Sequence, residues 1–202
     1  MTEKLKILQI GVPVLRQPAR PLTSKEILSH SIQSLIQKMR ATMNAAPGVG
    51  LAAPQIGESI QLAVIEDKKE YHQNFTSEQL TERERVPVPF HVIINPKLTI
   101  LSSEAKHFFE GCLSVAGFMG LASRAYAVKV DCLNEKAEPV TIEATGWYAR
   151  ILQHEIDHLQ GTVYIDRINP RSLMLIENYA AHWKDKSIEQ TCGELHMELQ
   201  HR

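Results

Sequence analysis

The stretch that most constrains this chain is Gln153-His154-Glu155-Ile156-Asp157-His158, with two histidines four residues apart and a glutamate directly after the first. Residues four apart on a helix lie one turn above each other on one face, so His154 and His158 can offer both imidazoles to one metal ion. Glu155 is turned by about 100° from His154. It stands outside that pair but within reach of a water at the ion, where a carboxylate can carry a proton. A helix is favoured locally, because residues 147–159 contain no Pro or Gly and Ile151, Leu152, Ile156 and Leu159 recur at helical spacing. Gly161 ends it. The same apolar residues call for burial, and buried imidazoles need partners, which favours metal ligands over a solvated polar face.

A chain of 202 residues with 44% hydrophobic content can bury one substantial core. We expect a single catalytic domain over residues 1–183 and a C-terminal tail over 184–202, polar and mixed in charge, formed by a fraying helix extension. A net charge of -1, from 22 basic and 23 acidic residues, supports neither nucleic-acid nor membrane binding. No stretch approaches transmembrane length, and Met1-Thr2-Glu3-Lys4-Leu5 lacks both a signal core and an Arg/Ser-rich transit pattern, so the cytoplasm is the expected compartment. Cys112, Cys132 and Cys192 are odd in number and widely spaced, as reduced thiols are.

Taken in order, residues 6–22 are short apolar pieces punctuated by Pro13, Pro18 and Pro21, which reads as an extended arm on a core. Thr23 and Glu26 form a capping-box pattern, and Leu28, Ile32, Leu35, Ile36, Met39 and Met43 a helical stripe to about Ala45. The small-residue run Pro47-Gly48-Val49-Gly50-Leu51-Ala52-Ala53-Pro54-Gln55 breaks that helix. A dinucleotide loop is rejected there, since a helix rather than a strand precedes it and Pro54 interrupts any helix opening after it. A loop lining a site is the sharper reading, with Gln55 able to donate and accept. Residues 61–65 and 91–94 read as strands joined by a charged surface insertion, 66–89. Asn95-Pro96 reads as a turn before a further strand at 98–101. Residues 105–109 lead into Glu110-Gly111-Cys112-Leu113-Ser114, and 125–133 with 139–144 alternate as a strand pair with Val128, Val130 and Cys132 on one face. Residues 163–165 are a short strand candidate, and 173–183 an amphipathic helix.

A catalytic metal needs three protein ligands and an open position. A third histidine after Gly161 would fall where Tyr164 stands, so that route fails. Glu177, on the next helix, and Cys112, between Gly111 and Ser114, both remain candidates.

Gly48-Val-Gly-Leu-Ala-Ala-Pro-Gln55, Glu110-Gly-Cys-Leu-Ser114 and Gln153-His-Glu-Ile-Asp-His-Leu-Gln-Gly161 resemble, in order and approximate spacing, the three signature motifs of peptide deformylase. The resemblance extends through the arm and first helix to about Asn169. It implies an α+β fold with antiparallel sheets packed around a central metal-binding helix. It implies hydrolytic removal of the N-formyl group from the N-terminal methionine of new polypeptides, with release of formate. By motif position Cys112, His154 and His158 become the metal ligands, Glu155 the proton carrier, and Gln55 with the Leu113 backbone N–H the oxyanion donors. Gly50 would hold the peptide backbone, with Val49, Trp147, Ile151 and His154 walling a methionine slot. The implied cofactor is one divalent ion, Fe2+ in the cell, with Zn2+, Ni2+ or Co2+ also accepted. The implied partners are N-formylmethionyl nascent peptides, with the ribosome near its exit tunnel a further candidate. Val115-Ala116-Gly117-Phe118-Met119 lacks the proline and nearby arginine common in bacterial members, and with Gly146-Trp147-Tyr148-Ala149-Arg150 it is similar to the organelle-type subgroup.

Two candidates for the third ligand can be separated directly. Cys112→Ala is expected to lose metal and activity together, while Cys132→Ala and Cys192→Ala keep both. Metal analysis of the three purified variants decides it, and stoichiometric metal retained by Cys112→Ala would move the third ligand to Glu177.

Overall fold

The computed structural model describes residues 4–46 and 48–198; Pro47, residues 1–3 and residues 199–202, with His201 of the expected tail, lie outside it. The prolines of the N-terminal segment keep it out of any sheet, apart from one 3-10 turn at Pro13–Arg16. It forms the expected arm. Leu8 N–H donates to the Gln55 carbonyl at 2.7 Å, Ile10 N–H to that of Ser114 at 2.8 Å and Ala19 N–H to that of Leu159 at 2.9 Å. All three signature stretches are thereby tied to one strap.

Thr23 and Glu26 cap α1 (Ser24–Ile27) reciprocally. The single helix read from the apolar stripe is two helices. Ser29 Oγ donates to the Glu26 carbonyl at 2.6 Å and accepts from Ile32 N–H at 3.4 Å, which closes α1 and opens α2 (His30–Ala45). Next come β1 (Gly50–Ala52), a 3-10 turn at Ala53–Ile56 and β2 (Leu62–Asp67). After α3 (Ser77–Glu82) come β3 (Val88–Ile100), β4 (Ala105–Gly111), β5 (Phe118–Ala125), β6 (Ala127–Leu133) and β7 (Pro139–Thr145). The chain ends in α4 (Gly146–Leu159), β8 (Met174–Leu175), α5 (Ile176–His182) and α6 (Ile188–Glu194). Two antiparallel sheets result, ordered β1-β2-β3-β6-β7 and β4-β5-β8. This is an α+β fold.

Every residue of β2 is buried, because period-2 alternation sends Ala63 and Ile65 toward α4 and Leu62 and Val64 toward α2. Ile151, Leu152, Ile156 and Leu159 of α4 pack there with Val128 and Val130. Each such side chain stabilises the fold by about 1.5–3 kcal/mol on burial. Asn95-Pro96 is a bulge within β3 rather than a turn between strands. Asn95 has φ 51°, a left-handed conformation that asparagine tolerates, and its side chain bonds both the N–H and the carbonyl of Leu22 at 2.8 Å. β3 pairs with β2 up to Ile94 and with β6 from Lys97 onward, apart from the Ile94–Leu133 pair at the bulge.

Residues 66–89 are also more ordered than a surface insertion. Arg85 makes a two-point pair with buried Asp67 at 2.8 and 2.9 Å, and the Arg85 and Arg83 guanidiniums lie 5.2 and 6.0 Å from the Trp147 ring centre. The Arg83 carbonyl also accepts Trp147 N–H at 2.9 Å, so this segment braces the first turn of α4. At 163–165 the chain curls into a 3-10 turn, since the Asp166 carboxylate accepts Val163 N–H at 2.9 Å; Tyr164 is buried by it. Residues 173–183 begin as β8, paired to β5, and only then become helix. The polar composition after 184 hides α6, capped by Ser187 and Gln190, with Cys192 and Met197 buried against Phe109 and Leu121.

Arg85→Met leaves Asp67 buried beside His72 alone, 3.4 Å away. A loss of about 3–5 kcal/mol is expected from uncovering a buried charge. Urea unfolding of the variant against the parent measures it, and a loss under about 1 kcal/mol would mean that Asp67 is held by other groups.

Candidate active site

α4 brings the site to the seam between the sheets. Its apolar face meets the larger sheet, while Arg150, His154 and Asp157 turn toward β4 and β5. β4 ends at Gly111, and a turn in which Val115 N–H donates to the Cys112 carbonyl at 3.0 Å swings the Cys112 thiol inward. The peptide plane is rigid, so with that carbonyl pointing into the turn the Leu113 N–H points away from it.

The ligand atoms of Cys112, His154 and His158 lie within 4.8 Å of one another, and Cys112 Sγ is 3.2 Å from His158 Nε2. Among the described residues this is the one such cluster. Glu177, at the start of α5, is no part of it. His154 Nδ1 lies 3.0 Å from Glu110 Oε2, which assigns the ring proton there and leaves Nε2 toward the thiol. Burial alone would lower His154, but Cys112 and Glu110 outweigh it and hold the group well above the usual histidine range. His158 goes the other way, pushed well below that range by burial and then by the positive charges of His154 and Arg124. A divalent ion bound at His154 Nε2 would leave the Nδ1 proton in place, held toward Glu110. One thiolate and two imidazoles with a position left open suit such an ion.

Behind the ligands lies a buried ionic cluster of Glu110, Arg124, Arg150 and Asp157, which the half-exposed Arg167 joins from the surface. Arg124 grips both oxygens of Glu110 at 3.0 Å, Arg150 adds a bond to Oε1 at 2.5 Å, and Arg124 also pairs with Asp157, itself held by Arg167 at 2.7 Å. Burial would raise the Glu110 carboxyl, yet Arg124 and then Arg150 keep it well below the usual carboxylate range.

Two further groups face the thiol. Gln55 Oε1 accepts Ala52 N–H at 2.8 Å, and because that backbone group can only donate, the amide orientation is settled. Nε2 is then directed at Ser114 Oγ, 3.2 Å away, and Cys112 Sγ, 3.5 Å away. Glu155 is 3% exposed, and its Oε2 has no hydrogen-bond partner among the described residues. Burial pushes its carboxyl up to about 7, against the lowering pull of His154 and Arg124. The carboxylate fits against Gly50 only because no side chain is there, since a Cβ would stand 2.1 Å from Glu155 Oε1.

All of these groups open on a cavity of about 490 Å3, walled by Val49, Gly50, Gln55, Leu113, Trp147 and Ile151 together with Cys112, His154 and Glu155. Of the residues to which the family resemblance gives a role, all border it except His158, which lies behind as a buried ligand candidate. Glu110, Arg124, Arg150 and Asp157 were not assigned roles from sequence. The available signal was Arg150, His154 and Asp157 at i, i+4 and i+7 within a helix whose neighbours demand burial.

Such a centre, with a buried carboxylate and an amide donor facing the same donor cluster, is that of a mononuclear metallohydrolase. Comparison with known proteins narrows the class: a family model for polypeptide deformylase matches residues 4–173. Peptide deformylase 3 of Streptomyces avermitilis is 41% identical over 191 residues, covering 95% of this chain and 83% of the relative. The chloroplastic peptide deformylase 1A of tomato is 44% identical over 172 residues, 85% of this chain but 62% of the relative, so the chain spans under two thirds of that plant protein. A Met-Ala-Ser-bound class I type b peptide deformylase of Acinetobacter baumannii superposes with a TM-score of 0.74 at 33% identity, covering 83% of this chain and 100% of that one. The chain belongs to the polypeptide deformylase family, metal-dependent enzymes that remove the N-formyl group from N-terminal methionine.

Gly50→Ala should displace the Glu155 carboxylate and lower turnover by about 100-fold, the scale of losing a positioned acid or base, while circular dichroism stays native. Turnover within about threefold of the parent would show that Glu155 need not sit there. The depressed Glu110 carboxyl also sets a pH dependence. A group lower in the folded than in the unfolded state adds stability above its unfolded value, about 4.3, and that contribution is lost as pH falls toward the folded value. Stability should therefore drop steeply below about pH 4.3, and Glu110→Gln should start lower and show a flatter acid limb in denaturant titrations.

Proposed function

We propose that this chain hydrolyses the amide bond between formyl and the N-terminal methionine of newly made polypeptides, releasing formate. In this reading Cys112, His154 and His158 hold one divalent ion, and Glu155 carries the proton. The observation that supports it most is the convergence of the Glu155 carboxylate, the Gln55 amide and Leu113 on one cavity beside those three donors. A cation held there supplies Lewis acidity toward water and the amide carbonyl. The soft thiolate and two imidazoles suit ferrous iron in a reducing cytoplasm and also accept zinc, nickel or cobalt.

The chain's own groups divide the rest of the reaction. Glu155 takes a proton from the attacking water as the new C–O bond forms. Charge then grows on the formyl oxygen, for which Gln55 Nε2 and the Leu113 N–H are the donors, each worth about 2.7–4 kcal/mol in the transition state. Glu155 returns its proton to the methionine nitrogen as the C–N bond breaks, so formate and a free amine leave. Val49, Trp147 and Ile151 offer an apolar slot to an unbranched side chain. Both β1 and β4 are outermost in their sheets and border the cavity, so an extended peptide can add its backbone between them, with Gly50 on one side. The Met-Ala-Ser peptide in the Acinetobacter relative begins with the residue this slot would take. Substrates of this kind emerge at the ribosome, the place of action we infer.

Formate release from formyl-Met-Ala-Ser tests the assignment, with acetyl-Met-Ala-Ser as control. The formyl peptide should be cut at least about 100-fold faster, because the extra methyl crowds the attacked carbon; equal rates would end this reading. Glu155→Gln keeps the volume and loses the base, so metal content should stay at one per chain while kcat falls by about 100-fold or more. His154→Gln should instead lose the metal. Near-parental turnover of Glu155→Gln would assign the proton to another group.

A further inference from the structure

Gln9, in the N-terminal arm, takes no part in the chemistry described above, yet its side chain is spent on the turn that carries Cys112. Its Oε1 accepts Ala116 N–H at 3.1 Å, and its Nε2 donates to the Leu113 carbonyl at 2.9 Å. The first backbone group can only donate and the second can only accept, so the orientation of the amide is settled. The backbone on either side of Gln9 is fixed as well, by Leu8 N–H on the Gln55 carbonyl and by Ile10 N–H on that of Ser114. Only its side-chain torsions are left to freeze when Gln9 spans the turn.

The peptide between Leu113 and Ser114 is the middle one of that turn. The bond from Val115 N–H to the Cys112 carbonyl closes the two ends and leaves the middle plane free to tilt. A trans peptide is rigid, with its carbonyl and its N–H on opposite sides. Holding the Leu113 carbonyl on Gln9 therefore aims Ser114 N–H the other way, and it lies 3.4 Å from Cys112 Sγ. We infer that Gln9 is a positioning residue, which by gripping the Leu113 carbonyl fixes the peptide plane whose N–H meets the Cys112 thiol. In the deformylase reading, on which this role rests, Cys112 is a metal ligand and the Leu113 N–H an oxyanion donor. A hydrogen bond onto a ligand atom orients it and tunes its donor strength. Ser114 also meets the other oxyanion donor, accepting Gln55 Nε2 on its hydroxyl at 3.2 Å, so a tilt of this peptide is felt at the thiol and at both donors. Gln9 itself is exposed, and its two neutral bonds add little stability; their effect lies in direction.

The test compares two variants with the parent. Gln9→Met keeps the reach and removes both bonds, while Gln9→Glu can still accept Ala116 N–H but sets a carboxylate oxygen against the Leu113 carbonyl. Each full chain is loaded with Co2+. Metal content, formate release from formyl-Met-Ala-Ser and the near-ultraviolet charge-transfer band of the cobalt–thiolate pair are then measured. Both variants should keep one ion per chain and a KM within about twofold of the parent, while kcat falls by about tenfold, part of the roughly 100-fold that a misplacement of about 1 Å costs. The band should move to longer wavelength in both, because a sulfur that loses an N–H partner gives up its electrons more easily. A side chain that merely fills space would leave Gln9→Met like the parent in both readouts. Turnover of Gln9→Met within about twofold of the parent would overturn the role, water then serving the two backbone groups as well as the amide does. A fall in kcat with the band unmoved would overturn it too, since Gln9 would then act elsewhere than on the partner of the thiol. Loss of the ion from Gln9→Met would make Gln9 a structural tether and likewise overturn it. In each of these cases an active parent leaves the deformylase reading standing, whereas a parent that releases no formate removes both.

Discussion

One buried carboxylate, Glu110, is the point through which the two halves of the site are held in relation. It belongs to β4, its partner Arg124 to β5, and Arg150 and His154 to α4, so three elements meet on two oxygen atoms. An ion taken from water into the interior costs several kcal/mol unless its partners are complete. Here Arg124, Arg150 and His154 complete them, and truncating any one would leave the others uncompensated. Such a cluster contributes little net stability compared with apolar packing, but its bonds have direction.

That direction matters because α4 is attached to its two neighbours by different forces. Toward the larger sheet it packs Ile151, Leu152, Ile156 and Leu159 among Ala63, Ile65, Val128 and Val130, a contact proportional to area and indifferent to small slides. Toward the small sheet it is joined by Glu110, Arg124 and Asp157. The small sheet leads into Cys112, and the distance from that thiol to the two imidazoles is what decides whether one ion can be held. Ionic hydrogen bonds of fixed geometry set that distance, while the greasy face supplies the energy of burial. Gln55 shows the same division locally, with its oxygen spent on Ala52 N–H so that its nitrogen has one orientation left.

The site was more legible in the sequence than the fold around it. His154, Glu155 and His158 emerge from helical spacing, and Gln55, Cys112 and Leu113 from motifs that match a family; all but the buried His158 border one cavity. The groups that escaped were those whose meaning depends on distant partners. Arg124 and Asp157 are ordinary surface residues until β5 and α4 are packed together, and Arg83 and Arg85 look like an insertion until Trp147 is placed between them and the cavity. Element boundaries failed for local reasons: Ser29 bonds back to Glu26 and splits a helix, Asn95 adopts a left-handed turn inside a strand, and Met174 and Leu175 are drawn into a sheet by β5 although their composition favours helix. The alternation of Val128, Val130 and Cys132 and the burial of α4 were legible because a repeated period averages over such accidents.

The N-terminal arm carries a consequence for how the molecule assembles. Leu8, Ile10 and Ala19 give their backbone bonds to Gln55, Ser114 and Leu159, partners spread over most of the remaining chain. Closing contacts between residues so far apart in sequence costs loop entropy that local structure cannot offset early, and such topologies fold slowly. The arm is therefore among the last elements to dock. Until it does, the turn bearing Cys112 and the end of α4 lack one of their backbone tethers, so competence of the centre should lag behind formation of the sheets, as a late kinetic phase in refolding rather than a step shared with collapse.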